Sequence, residues 1–255
     1  MRNPFSASGG AALRPANPVS VLRLHLPAST PSPEHVNLTK GHQRAGVSLS
    51  KRDLTGIRAQ VALVVDCSGS MGRDFRNGNV ATLIERVLAF AMQVDVDGVV
   101  PVIPFASTVK PTIIVGQDAN PREKIISYRD VMDHLHAGGT TDMTGALKVL
   151  RDMAKTTKQQ MLGVVVGDGE PDNQESATRV MRDLTRHPVF MKMLAFRDNP
   201  WLDQLDNSLG GLVDNVNSKT FADPSAVGGQ VFADAMVDEW DAWMRAATAA
   251  GVLLR

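Results

Sequence analysis

From residue 60 onward, short apolar runs alternate with stretches in which apolar residues recur every three or four positions. Val61-Ala62-Leu63-Val64-Val65 runs into Asp66, the composition of a strand buried on both faces of a parallel sheet. Val80, Leu83, Ile84, Val87, Ala91 and Val94 follow at helical spacing, with Asn79 available as N-cap. Residues 99–105 and 111–115 read as strands joined through 106–110, a hairpin forming an antiparallel edge of the sheet. A helix is expected over 144–153, a strand over 161–166, a helix over 176–185 and a strand over 188–196. A short helix over 201–207 and a last strand over 212–216 complete the alternation. Phe232, Met236, Trp240, Trp243 and Ala247 then mark one face of a terminal helix, which Gly251 is placed to end. The pattern predicts an α/β fold, doubly wound around a mostly parallel sheet with one antiparallel edge strand.

The chain ahead of this unit has a different rhythm. Val36-Asn37-Leu38-Thr39-Lys40 and Val47-Ser48-Leu49-Ser50-Lys51 form a weak repeat of alternating apolar and polar residues around Gly41 and Gly46. That alternation predicts a short strand pair, with a linker, over 36–55. Pro15, Pro18, Pro27, Pro31 and Pro33 predict a flexible leader over 1–35. The main domain is then expected over 56–254.

Composition narrows the function classes. Lys plus Arg and Asp plus Glu both number 27, so no net field draws the chain toward nucleic acid or an anionic membrane. Residues 19–26 are interrupted by Ser20, Arg23 and His25, and lack the continuous apolar stretch of a secretory signal. No stretch approaches the roughly 20 apolar residues of a membrane-spanning helix. Cys67 is the single cysteine and cannot form an internal disulfide, so a soluble, cytoplasmic protein is expected.

In doubly wound sheets, ligands bind beyond the carboxyl ends of the strands. Three polar segments fall there: Asp66-Cys67-Ser68-Gly69-Ser70, Gly138-Gly139-Thr140-Thr141 and Gly167-Asp168-Gly169-Glu170. Their carboxylates and hydroxyls suit a hard divalent cation, Mg2+ first and Mn2+ or Ca2+ as alternatives. Positions 66, 68 and 70 converge if the loop turns sharply, which Gly69 and Gly72 permit. Cys67 falls between the ligand positions, is a poor donor to Mg2+, and reads as a small buried apolar group.

These segments, in this order, resemble the metal-ion-dependent adhesion site of von Willebrand factor A (VWA) domains. The resemblance implies a metal held by Asp66, Ser68, Ser70, Thr140 and Asp168. It selects Thr140 over Thr141 because the family threonine directly follows the glycine pair. The family usually has Thr-Asp-Gly where this chain has Gly167-Asp168-Gly169, so a flanking hydroxyl is lost. Residues 73–98, with Gly78-Asn79-Val80, Glu85-Arg86-Val87-Leu88 and Asp95-Val96-Asp97-Gly98, resemble the A domain of bacterial tellurium-resistance proteins, as does the ending from Trp243. The strand pair resembles the opening of the stress-response domain that accompanies some relatives, although the rest of that domain is missing.

The resemblance implies a non-catalytic, metal-dependent protein-binding module, whose partner offers an Asp or Glu to the metal. An adaptor subunit of a larger assembly, for example an ATPase-associated one, is the alternative. Asp95-Val96-Asp97-Gly98 also suggests an aspartate-based phosphatase, but its nucleophile should leave a buried strand, and this segment follows a helix. A serine hydrolase at Ser68 or Ser70 lacks the Gly-x-Ser-x-Gly elbow. His134-Leu135-His136 has no nearby cysteine to make a zinc site, and Glu170 and Asp172 read as solvated.

Overall fold

The computed structural model describes residues 36–96, 98, 100–115, 130–157 and 159–253, so the leader expected over 1–35 lies outside the described residues. Its centre is a six-stranded sheet in the order β3-β2-β1-β4-β5-β6, comprising β1 (Gln60–Asp66), β2 (Val100–Phe105), β3 (Ile113–Val115), β4 (Met161–Gly167), β5 (Val189–Ala195) and β6 (Val216–Thr220). Five strands run parallel, and β3 pairs antiparallel with β2 at the edge. The order reverses at β1, which lies between β2 and β4. A crevice therefore opens beyond the carboxyl ends of β1 and β4.

Both faces of the sheet are covered. Val61, Leu63 and Val65 belong to one apolar cluster and Ala62 and Val64 to the other, which is why β1 reads as a continuous apolar run. The first face carries α3 (Asn79–Val94), α7 (Gly229–Val237) and α8 (Trp240–Ala249). The second carries α4 (Met143–Thr156), α5 (Gln174–Leu184) and α6 (Pro200–Ser208). Asp142, Asn173 and Asn199 accept N–H bonds within the first turns of α4, α5 and α6 and so cap them.

The strand pair expected over 36–55 is a single helix, α1 (Val36–Lys51). Leu38, Ala45 and Leu49 are buried at helical spacing, and the helix packs on α3 and α7. Gly41 suggests a turn in the sequence, but here it permits close helix contact: a Cβ at that position would lie 2.5 Å from Ala89 Cβ. Ser48 extends the packing with polar contacts, donating to Asp234 Oδ1 at 2.7 Å and accepting from Gln230 Nε2 at 2.7 Å. The local alternation of apolar and polar residues is thus overridden by burial along a helical face.

Three further expectations change in detail. The terminal helix is broken between α7 and α8, where Glu239 takes the left-handed conformation at φ 63°. The last strand starts at Val216, where the sequence suggested it would end; Leu212 and Val213 belong to the connection after α6, which holds Gly210 and Gly211 at positive φ. Asn79 is inside α3 instead of capping it, and its side chain donates to Asp74 Oδ1 at 2.9 Å. Gly251 ends α8 with the expected left-handed turn: Val252 N–H reaches Ala247 C=O at 2.8 Å and Gly251 N–H reaches Thr248 C=O at 3.2 Å.

Candidate metal centre

The carboxyl end of β1 delivers Asp66 to the crevice with its side chain fully buried. Asp66 Oδ1 accepts Ser68 N–H at 2.7 Å, which folds the loop back on itself, and Ser68 Oγ lies 3.0 Å from Ser70 Oγ. The loop continues into a short 3-10 turn over Gly69–Met71 and then α2 (Gly72–Arg76). Asp66 Oδ2 is buried without a hydrogen-bond partner. An ionised carboxylate oxygen left this way is costly, and burial raises the Asp66 carboxyl to about 6, with the charges of Asp168 and Asp172 adding to the shift.

Backbone bonds tie the second loop to the first. Gly69 N–H reaches Gly139 C=O at 2.9 Å and Gly138 N–H reaches Cys67 C=O at 2.8 Å. Gly139 is required here, since its φ is 90° and a Cβ would collide with Ser107 Oγ. The Ser107 hydroxyl accepts Thr140 N–H at 2.9 Å, and Thr140 is exposed at the surface. Thr141 is instead buried and clamped to the third loop: its N–H reaches Asp172 Oδ2 at 2.9 Å, and its C=O accepts Asp172 N–H at 3.1 Å.

Asp168 follows β4 and is buried beside Asp66 across the β1–β4 pairing. Its Oδ1 accepts Glu170 N–H at 3.3 Å and its Oδ2 lies 3.2 Å from Arg197 Nη1. Arg197 also reaches Asp74 Oδ2 at 2.8 Å, so one guanidinium joins α2 to the third loop. The glycine before Asp168 has a local reason. A Cβ at Gly167 would stand 2.9 Å from Asp66 Cβ and 3.2 Å from its Oδ2, so a side chain there would press on the first-loop carboxylate.

Asp66, Ser68 and Ser70 are therefore assembled in one turn, Thr140 is brought up through Gly139, and Asp168 stands beside Asp66. Sequence reasoning missed Ser107, Arg197 and Asp74, which brace these loops; Asp172, read as solvated, is exposed and also clamps Thr141. Ser107 and Arg197 each lie two residues past a strand end, where the carboxyl-end rule would have found them. Cys67 is buried, and burial pushes its thiol up to about 12, in keeping with a packing role. Among the described residues, no cluster of three or more His, Cys, Asp or Glu is placed to hold a metal, so a cation here must draw on hydroxyls. The orphaned Asp66 Oδ2 beside Ser68 and Ser70 meets that demand with oxygen donors alone, and the residues fit a hard divalent cation.

A doubly wound sheet carrying this loop arrangement beyond β1 and β4 is that of a von Willebrand factor A domain. The vWA-TerF-like family, described as the vWA found in the TerF C terminus, matches residues 58–253, and the chain belongs to it. The chain is 26% identical over 213 residues to the uncharacterized protein YcbR of Bacillus subtilis (strain 168), covering 81% of this chain and 86% of that one. A von Willebrand factor type A structure from Catenulispora acidiphila superposes with a TM-score of 0.52 at 14% identity, over 71% of this chain and 43% of that one. Proximal thread matrix protein 1 from the mussel byssus superposes at 0.50 with 18% identity, over 71% of this chain and 48% of that one. The chain thus spans less than half the length of either structural relative, and both show the fold alone.

Proposed function

We propose that the protein is a non-catalytic, metal-dependent binding module that engages an acidic side chain of a partner protein. The observation that carries the reading is Asp66 Oδ2, buried and unpartnered next to two adjacent hydroxyls at the mouth of the sheet. Asp66, Ser68, Ser70, Thr140 and Asp168 would hold Mg2+, with Mn2+ or Ca2+ as substitutes. A cation bound mainly by neutral hydroxyls and water keeps a net positive charge with which to attract a carboxylate. Ser68 and Ser70 offer their oxygens together, and the exposed Thr140 lies where a partner can approach. Arg197 offsets part of the negative charge of Asp168 and Asp74.

Membership of the vWA-TerF-like family supports a setting in tellurium resistance or a related stress response. The adaptor alternative offers the leader together with residues 36–55 as a docking element; within that stretch, α1 is packed against α3 and α7 of its own domain. The phosphatase reading needs Asp95 at a reactive crevice. Asp95 instead follows α3 and accepts Val61 N–H at 2.9 Å, at the amino end of β1.

Thermal unfolding with and without Mg2+, for the wild type and for Ser70→Ala and Asp168→Ala, tests the metal. A cation that binds only the folded state at about 100 times its dissociation constant stabilises by about 2.7 kcal/mol. Wild-type stabilisation that both variants lose supports the site. An unchanged wild-type midpoint with Mg2+, Mn2+ and Ca2+ alike overturns it.

A further inference from the structure

On the flank formed by α1, α3 and α7 lies a cavity of about 320 Å³ whose lining includes none of the candidate metal ligands. That volume is at the lower end of small-molecule sites. Three cationic side chains line it, Lys40 and Arg44 from α1 and Arg86 from α3, against one carboxylate, Glu85. Lys40 and Arg44 make no ion pair among the described residues. Arg86 Nη2 donates to Val227 C=O at 2.8 Å, but its Nη1 is buried without a partner. Arg44 is folded against Gly229, the first residue of α7, whose N-cap Gly228 supplies no side-chain acceptor. A cation at a helix N-terminus opposes the helix dipole, and two guanidinium groups sharing one cavity repel.

Glu85 and the Phe232 ring, over which the Arg86 guanidinium lies at 5.7 Å, offset part of this positive charge and leave the cluster short of counter-charge. Burial first and the Arg44 charge second lower the Arg86 pKa from its ordinary value, a direction that agrees with the crowding. An anion seated between the guanidinium groups and the open α7 terminus would supply the missing counter-charge, approach the backbone N–H groups of the first helical turn and cancel the repulsion. Phe90 and Phe232 supply an apolar wall beside the charged one. We propose that this cavity binds the phosphate group of a small phosphorylated molecule, held by Lys40, Arg44, Arg86 and the first turn of α7, with the organic part against Phe90 and Phe232.

The test is calorimetric titration and thermal unfolding in metal-free buffer, with inorganic phosphate and pyrophosphate as probes, malonate as a dicarboxylate control, and NaCl at matched ionic strength. The wild type should bind pyrophosphate saturably and melt higher than in NaCl. Lys40→Gln with Arg44→Gln, both at exposed positions, should weaken pyrophosphate binding at least roughly tenfold, as expected when two charge-assisted contacts are lost. Without ligand, that double variant should melt at or above the wild-type temperature, because like charges have been removed. The proposal is overturned by a wild-type response equal to that in NaCl, by malonate binding as tightly as pyrophosphate, by unchanged binding in the double variant, or by a ligand-free loss of several degrees. Metal-free buffer keeps the outcome separate from the fate of the adhesion-type site.

Discussion

Replacing Lys192 with methionine should flatten the alkaline rise in stability expected of the wild type. Lys192 is fully buried in β5, where its Nζ donates to Asn217 Oδ1 and, at 2.7 Å, to Asp238 C=O at the end of α7. Burial lowers its pKa from the ordinary 10.5 to about 7, against the opposing pull of Asp238; Lys219, Glu239 and Asp206 are the other charges that act on it. At pH values below this folded pKa, the amine is protonated in both folded and unfolded chains, and the folded state carries the full desolvation penalty. Between the folded and unfolded pKa values the unfolded chain holds more protons, so stability rises with pH by about 1.4 kcal/mol per unit. From about pH 7 to about pH 9.5 this integrates to about 3 kcal/mol. Methionine keeps the length and apolar stem but orphans the Asn217 and Asp238 acceptors, at a cost of about 1–3 kcal/mol that does not vary with pH. The readout is therefore the slope of stability against pH, measured by urea unfolding of both proteins over that range. The surrounding carboxylates and Lys219 are common to both and cancel in the difference. Parallel curves would refute the reasoning and show that Lys192 keeps its proton in the folded state throughout.

Arg197→Ala should tighten Mg2+ binding roughly fivefold in a calorimetric titration, because a cation of about 1 kcal/mol repulsive effect is removed from beside Asp168; weaker binding would show that Arg197 serves chiefly to brace the loop. Leu49→Ala should destabilise by about 2–4 kcal/mol in urea unfolding, as expected for a buried leucine, whereas a loss near zero would show that α1 is not part of the cooperative unit. Asp95→Ala should cost about 1–3 kcal/mol by orphaning the buried Val61 N–H while leaving Mg2+ affinity unchanged. A matching loss of metal binding in that variant would contradict the separation of the two ends of β1.

The elements legible in the sequence are those whose burial is symmetrical. β1 and β4 are covered on both faces, so their apolar runs are continuous and need no knowledge of a partner; β5 is covered in the same way and stays legible although Lys192 interrupts its apolar run. α1 was misread because its apolar residues suit two periods, and only contact with α3 and α7 decides between them. β6 was displaced for a related reason. It is an edge strand of sequence Val-Asn-Ser-Lys-Thr, and its buried Asn217 is present to accept from Lys192, a neighbour one strand away. A polar residue that is buried to satisfy another buried polar residue carries no local hydrophobic signal.

The candidate metal centre divides along the same line. Oxygen donors are a property of residue type, so Asp66, Ser68, Ser70, Thr140 and Asp168 are readable from three short segments. Cross-loop pairing places the two threonines differently, since Thr141 N–H bonds Asp172 at a buried position while Ser107 receives the backbone of the exposed Thr140. The charge balance depends on a contact between residues 123 apart, Arg197 to Asp74, added to the Arg197–Asp168 pair. Gly167 belongs to this level as well. In the sequence it is a missing hydroxyl; in the fold it is the space that lets the Asp66 carboxylate lie against the end of β4. The glycine that departs from the adhesion-type pattern therefore makes room for the buried Asp66 carboxylate.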